Sequence, residues 1–300
     1  MEPSVLKIQY GQIPNVLLLG NGMNRAYGFA SWDELIESIR TKELTDAEKE
    51  SMKKVPYPLQ PVILTDDHLD IQMKGIAGQL SELRAVSEEE TILQKIAALP
   101  VDAILTANYT YELEKALSPD FRCLPGRRCR ARKTAYGEGG KYVTQQLHTY
   151  FLPQADMPPV WHIHGEASKP TTMVLGHYHY GKLLAKMQQY VSSFMSRYKA
   201  STARQQGMEM RSWLDYFLMG EVHIVGLGMA LSEMDLWWLV NCKKRHFPDS
   251  NVILYKPDIK PEEKLLAEAY GVTVNTDGNT GNYKAYYCWL CAELEKKLRT

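Results

Sequence analysis

An apolar run that ends in a glycine turn is the feature that most constrains the fold. Val-Leu-Leu-Leu at residues 16–19 leads into Gly20-Asn21-Gly22, and a helix-like apolar pattern follows over residues 32–39. A buried strand, a glycine turn and a helix form a common cradle for phosphate, because glycines allow close approach and free N–H groups bind the anion. The segment indicates a nucleotide site, although Gly-X-Gly after a strand can also be only a tight turn.

Strand-like and helix-like segments alternate along the rest of the chain. The predicted strands are residues 16–19, 102–106, 160–163, 222–225, 252–255 and 272–275. The predicted helices are residues 32–39, 69–83, 88–98, 111–117, 180–200, 208–219, 232–244, 261–270 and 283–298. This alternation predicts an α/β, Rossmann-like three-layer fold, with a mostly parallel sheet and helices on both faces. Ligands of such sheets bind outside the carboxyl ends of the strands.

The chain shows no internal repeat and no low-complexity linker. We therefore predict a single α/β domain over residues 1–300, a length that can bury a large core. Residues 43–98 are polar and helix-like and form a predicted helical insertion. Residues 118–158 are rich in Gly, Pro, Arg and aromatic residues and form a predicted irregular insertion.

Charge and hydropathy exclude several classes of protein. Lys+Arg and Asp+Glu both total 35, so no global field favours nucleic acid or an anionic membrane. No apolar run approaches the ~20 residues of a membrane helix. The start of the chain lacks a basic segment followed by an apolar one, so the expected location is the cytoplasm. The five cysteines include one pair, Cys288 and Cys291, and no second pair at zinc-ligand spacing.

Asn108 follows the second predicted strand directly. An amide at a strand end can orient a sugar hydroxyl or a water without competing for protons. The alternative is that Asn108 caps the following helix, and its position alone slightly favours the cap.

His162 and His164 alternate on the third predicted strand, so they point to the same face. His164 ends the strand beside Gly165, where it can serve as a general base near neutral pH. We interpret His162 as a core histidine. His177 and His179 form a second pair in a predicted loop, and no carboxylate stands at a metal-ligand spacing from either pair. No catalytic metal is therefore expected.

A second glycine turn, at Gly226 and Gly228, ends the fourth predicted strand. Asp235 could bind ribose hydroxyls near this turn or favour the start of the next helix. Ser232 is predicted to cap that helix. A basic run over residues 127–133 could contact nucleic acid or an acidic surface, but its lack of interleaved aromatics favours a solvated loop.

Taken together, the motifs at the strand ends resemble the sirtuin-like NAD hydrolase domains of bacterial antiphage defence, distant relatives of the sirtuin deacylases. The motifs are, in chain order, Gly20-Asn21-Gly22-Met23-Asn24, Thr106-Ala107-Asn108-Tyr109-Thr110, His162-Ile163-His164-Gly165, and Gly226-Leu227-Gly228 with Asp235. The resemblance covers residues 16–40 and 101–240. The sequence lacks the zinc module of the sirtuins. Asn24 stands where the family commonly has Ser, and Thr110 stands where it commonly has Asp.

The resemblance implies an NAD+ hydrolase that releases nicotinamide and ADP-ribose, with NAD+ as substrate and no required cofactor or metal. It marks Asn108 and His164 as catalytic. The nucleotide-binding residues that it implies are Gly20, Asn21, Gly22, Asn24, Thr106, Tyr109, Thr110, Gly226, Gly228 and Asp235.

Such an activity would deplete NAD+ in abortive infection, so the resemblance also implies a gate. The gate would be a homo-oligomer, a partner defence protein or a phage-derived trigger. Two alternatives stay open from the residues. One is a nucleotide-binding sensor or regulatory subunit without turnover, and the other is a metal-dependent hydrolase that uses the histidine pairs.

Overall fold

An eight-stranded, mostly parallel sheet forms the centre of the structure, a computed structural model that describes residues 6–28, 31–65, 68–81, 87–118, 120–135, 144–154, 157–278 and 281–299. The strands, in chain order, are β1 (Lys7–Ile8), β2 (Asn15–Leu19), β3 (Ala103–Thr106), β4 (Arg132–Thr134), β5 (Thr149–Phe151), β6 (Val160–His162), β7 (Met208–Glu209), β8 (Glu221–Val225), β9 (Val252–Tyr255) and β10 (Val272–Asn275). The order in the large sheet is β10-β9-β8-β2-β3-β6-β5-β4. Strand β5 pairs antiparallel with both of its neighbours, β4 and β6, and the other pairs are parallel.

Helices cover both faces of this sheet. They are α1 (Gly22–Ala26), α2 (Trp32–Ser38), α3 (Asp46–Met52), α4 (Gln60–Thr65), α5 (Leu69–Ser81), α6 (Ser87–Ala97), α7 (Glu112–Leu117), α8 (Gln145–His148), α9 (His177–Ala203), α10 (Trp213–Met219), α11 (Met234–His246), α12 (Pro261–Ala269) and α13 (Tyr283–Arg299). Short 3-10 helices lie at Tyr57–Leu59 and Pro170–Thr172.

Alternate side chains of β2 enter two separate apolar cores. Leu17 and Leu19 pack in the core that includes α6, α7 and α13, whereas Val16 and Leu18 pack in the core that includes α9, α10 and α11. Successive residues of a strand point to opposite faces, so a strand buried on both sides reads as a continuous apolar run. The predicted three-layer α/β fold is confirmed.

The connections place a topological switch point beside β2. From β2 the chain adds β3 and β6 on one side, and it then crosses to add β8, β9 and β10 on the other. Leu19 pairs in register with Thr106 of β3 and with Val225 of β8, all parallel. The segments that follow these strands therefore meet at one edge, where open α/β sheets bind their ligands.

Two secondary-structure predictions were wrong. Residues 208–219 are not one helix, because Met208–Glu209 pairs with Lys7–Ile8 in a second sheet and α10 begins only after Ser212, whose Oγ accepts from the Leu214 N–H at 3.2 Å. Helix α9 begins earlier than predicted, so His177 and His179 lie in its first turn and not in a loop.

Both predicted insertions are described in part. Residues 43–98 contain helices and no strand among the residues described, and the Thr45 side chain caps α3. Residues 82–86, within the predicted helical insertion, and 136–143, within the irregular one, lie outside the described residues, as do the first five residues of the chain. No helix in the described part is long and apolar enough to cross a membrane.

Candidate functional site

A cavity of about 610 Å³ opens at the carboxyl ends of β2, β3 and β8. Its volume lies in the range of small-molecule sites, about 300–1,000 Å³. The cavity brings together most of the residues predicted from the strand ends. Those in its lining are Asn21, Gly22, Asn24, Asn108, Tyr109, Thr110, His164, Gly226 and Gly228.

The two glycine turns pack directly against each other. The Gly20 N–H donates to the Val225 carbonyl at 2.9 Å, and the Gly22 N–H donates to the Gly226 carbonyl at 2.7 Å. A Cβ on Gly20 or Gly22 would lie 2.5 or 2.7 Å from the Gly226 oxygen, and Gly226 itself has φ +67°. The close contact between the two turns therefore requires glycine at these positions. The sequence pattern did not reveal this contact.

Three predicted binding residues lie behind the lining and not in it. Gly20 is engaged by the neighbouring turn, and buried Thr106 accepts the Asn108 N–H through Oγ1 at 3.1 Å. Asp235 is buried against His164. These residues contact residues of the lining, and the expectation that they bind a ligand stays a prediction.

Asn108 does not cap a helix, because α7 begins at Glu112 with Tyr111 at its N-cap. Its backbone oxygen accepts from His162 Nδ1 at 2.6 Å, and His162 Nε2 lies 2.8 Å from Glu114 Oε1. Burial alone would lower the pKa of His162, but Glu114 and the Asn108 carbonyl raise it overall. His162 is thus the predicted core histidine, and it fixes the backbone of Asn108. The Asn108 side-chain amide has no hydrogen-bond partner within the described ranges and lines the cavity.

His164 forms a buried pair with Asp235. His164 Nε2 donates to Asp235 Oδ2 at 2.9 Å, since the carboxylate can only accept. Burial lowers the pKa of His164, but the charges of Asp235 and Glu233 raise it overall. Nδ1 has no partner among the residues described. The carboxylate therefore fixes the tautomer and leaves Nδ1 as the basic nitrogen.

Glu233 and Tyr180 complete the surroundings of His164. The Tyr180 ring meets the imidazole edge-on with centroids 5.7 Å apart, and its hydroxyl donates to Glu233 Oε2 at 3.3 Å. Burial raises the pKa of Glu233, with Asp235 adding to the effect while His164 and Tyr180 oppose it. Tyr180 was predicted only as the start of a helix, and Glu233, an acidic residue near the second glycine turn, was interpreted as favouring the start of the next helix.

The structure creates one possible metal-ligand set in the described residues. His164, Glu233 and Asp235 each offer a ligand atom, all within 4.8 Å of one another. Nitrogen and oxygen ligands in such a set suit a divalent cation. The His164–Asp235 hydrogen bond already engages two of these three residues, which favours a hydrogen-bonded pair. The predicted histidine pairs do not converge, since His177 is exposed and His179 contacts Asp70 at 3.0 Å.

Residues outside the predicted motifs also line the cavity. Arg25 lies in the lining next to the first glycine turn. Tyr283, Tyr286 and Tyr287 of α13 also line it, and the buried Tyr286 hydroxyl has no partner in the described part. Their i, i+3, i+4 spacing indicated only a shared helix face, so nothing in the sequence linked them to this edge.

Ser232 lines the cavity instead of capping α11. That helix begins at Met234 with no side-chain cap, and the Met234 N–H donates to the Ser232 carbonyl at 2.9 Å.

Comparison with known proteins gives one family match. A family model described as a SIR2-like domain matches residues 102–274, which is more than half of the chain and includes Asn108, His164 and Asp235. No match was found among curated proteins.

Proposed function

Because the chain belongs to the family of SIR2-like domains, we propose that it is an NAD+ glycohydrolase, which cleaves NAD+ to nicotinamide and ADP-ribose. One observation carries the proposal. The side-chain amide of Asn108, which has no hydrogen-bond partner among the residues described, and the imidazole of His164, oriented by Asp235, line the same cavity. Its volume of about 610 Å³ suits a dinucleotide.

The cavity offers complementary groups for each part of NAD+. The pyrophosphate would lie near Asn21, Gly22 and the Arg25 guanidinium, since Arg pairs well with phosphate oxygens. The adenosine half would lie near Gly228, where a Cβ would meet nothing within 4 Å, and against the tyrosines of α13. Aromatic rings offer stacking surfaces for a base.

Cleavage of the bond between nicotinamide and ribose develops positive charge on the ribose ring. Asn108 would orient the ribose or the attacking water through its neutral amide. As the water oxygen bonds to the anomeric carbon and nicotinamide leaves with the bonding electron pair, His164 Nδ1 takes the proton from the water. Asp235 stabilises the imidazolium that forms.

Thr110, which stands where the family commonly has Asp, contacts a carboxyl group. The Thr110 hydroxyl donates to Glu112 Oε2 at 2.5 Å, and both residues line the cavity. Glu112 is buried, and Oε1 has no partner among the described residues. In the proposed reaction the Glu112 carboxyl group binds the ribose of NAD+. It takes the place of the Asp that the family commonly has at the position of Thr110.

Nicotinamide release from NAD+ by the purified protein tests the proposal and separates the alternatives. We expect nicotinamide and ADP-ribose in equal amounts, at a rate unchanged by EDTA. Loss of activity in EDTA with recovery on adding a divalent cation would favour a metal-dependent hydrolase using His164, Glu233 and Asp235. Binding of NAD+ without cleavage at any protein concentration would favour the sensor.

Asp235→Asn should change the pH profile of the reaction as well as its rate. The base acts when His164 is unprotonated, so activity rises as the pH passes upward through the pKa of His164. Because Asp235 raises that pKa, its neutral replacement should shift the rising limb to lower pH. The plateau should fall at least about tenfold, since an amide does not stabilise the imidazolium. A pH profile of kcat/KM measures both effects, and an unshifted limb would contradict the assigned role of Asp235.

A role in antiphage abortive infection is the biological setting that the resemblance implies, with activity gated by assembly, a partner defence protein or a phage trigger. The helical insertion is the segment suited to a gate, because Tyr57, Pro58 and Leu80 line the cavity. Tyr57, Leu59 and Val62 are 41–42% exposed, which supports an interaction surface there. NAD+ cleavage that rises steeply with protein concentration would support gating by assembly, and a constant specific activity would count against it.

A further inference from the structure

A second cavity, of about 540 Å³, lies beside the basic run of residues 127–133. Four cationic side chains line it together with polar residues, and none of the described lining residues is acidic. The cations are Arg127, Arg128, Arg132 and Lys169. In a chain of zero net charge, four cations around one cavity concentrate positive potential. The basic run of residues 127–133, which was predicted to be a solvated loop, therefore forms one wall of a concave site lined by cations.

Arg132 is held rigidly in this wall. Its Nε and Nη2 donate to the two carboxylate oxygens of Glu166 at 3.1 and 2.6 Å, and Nη2 also contacts Ser168 Oγ at 2.5 Å. The guanidinium carbon lies 5.3 Å from the centre of the Phe151 ring. Nη1 makes no hydrogen bond within the described residues. A guanidinium fixed in this way loses little freedom when its spare nitrogen binds an anion.

The other three cations have no partner in the described part of the chain. Arg127 and Arg128 are exposed at the rim, whereas Lys169 is half-buried. Burial and the nearby Arg132 lower the pKa of Lys169 overall, although the charge of Glu166 opposes them. Thr134 and Thr149 add hydroxyl donors to the same lining.

We propose that this cavity binds a short polyphosphate chain, either free or as part of a nucleoside di- or triphosphate. Glu166 balances the charge of Arg132, and Arg127, Arg128 and Lys169, which form no ion pair within the described ranges, remain for a short chain of phosphates. The volume suits a small molecule. None of the lining residues that the structure describes is aromatic, so they provide no stacking platform of the kind typical of single-stranded nucleic-acid sites. Binding of phosphates in this cavity does not depend on cleavage of NAD+, so a binding measurement tests it separately from the proposed function.

Isothermal titration with ATP and with inorganic tripolyphosphate tests the site. We expect both probes to bind the wild-type protein. The double substitution Arg127→Gln with Arg128→Gln should weaken binding at least about tenfold, because it removes two charge-assisted contacts. The matched control is Arg130→Gln with Lys133→Gln, which removes the same charge from the same run at exposed residues outside the lining. The control should bind within about twofold of wild type, as expected for screened surface charges.

Arg25→Gln distinguishes this site from the large cavity and should leave tripolyphosphate binding unchanged. Several results would overturn the proposal. They are an equal loss of affinity in both double variants, a loss confined to Arg25→Gln, tighter binding of a 20-nucleotide RNA than of ATP, and no binding of either probe by the wild-type protein.

Discussion

Replacement of either Asn108 or His164 by alanine is expected to reduce NAD+ cleavage by about 10²–10⁴-fold, the usual contribution of a positioned proton acceptor or of comparable substrate orientation. His164→Ala removes the base, and Asn108→Ala removes an amide that has no structural partner among the residues described. The measurement is the initial rate of nicotinamide release at saturating NAD+.

Two substitutions elsewhere serve as controls for these variants. His177→Ala and Asn251→Ala change the same residue types at exposed positions outside the cavity lining. Both should cleave NAD+ at the wild-type rate. Thermal unfolding of each variant reports whether a lost activity reflects a lost fold. A stably folded His164→Ala protein with wild-type activity would contradict the assignment of the base.

Gly165→Ala should produce a large loss of stability. Gly165 has φ +88°, and a Cβ there would lie 2.1 Å from the Thr172 carbonyl oxygen. Left-handed strain of about 1–2 kcal/mol and a backbone clash of about 1–3 kcal/mol together predict a loss of about 2–5 kcal/mol in the free energy of unfolding. Denaturant unfolding measures it.

Gly28→Ala measures the cost of the left-handed backbone conformation without a steric clash. Gly28 has φ +87°, nearly the same conformation, and a Cβ there would meet no described residue within 4 Å. Its cost should be about 1–2 kcal/mol. Equal losses for the two variants would show that contact with Thr172 does not constrain Gly165.

The sequence allowed prediction of the edge of the sheet where the site lies. Parallel strands bring their carboxyl ends to one edge, so residues that follow separate strands could be placed together without knowing any contact. Asn108, His164 and the two glycine turns meet there. The apolar run of β2 also predicted burial on both faces, as observed for Leu17 and Leu18.

The partners of these residues could not be predicted, because they depend on where helices begin and how they rotate. Asp235 lies 71 residues from His164 in sequence, and its contact is set by the start of α11. The expected caps at Asn108 and Ser232 failed because each helix begins later than the polar residue suggested. Tyr286 reaches the cavity only because α13 packs beside the first glycine turn.

A proton NMR time course of NAD+ with the purified wild-type protein tests the central proposal most directly. It follows the substrate and both products in one sample, at low and high protein concentration and in the presence of EDTA. We predict equimolar growth of nicotinamide and ADP-ribose signals as NAD+ disappears, and no growth with the Asn108→Ala protein. NAD+ signals that broaden on binding but keep their full intensity under all of these conditions would contradict the assignment as a glycohydrolase.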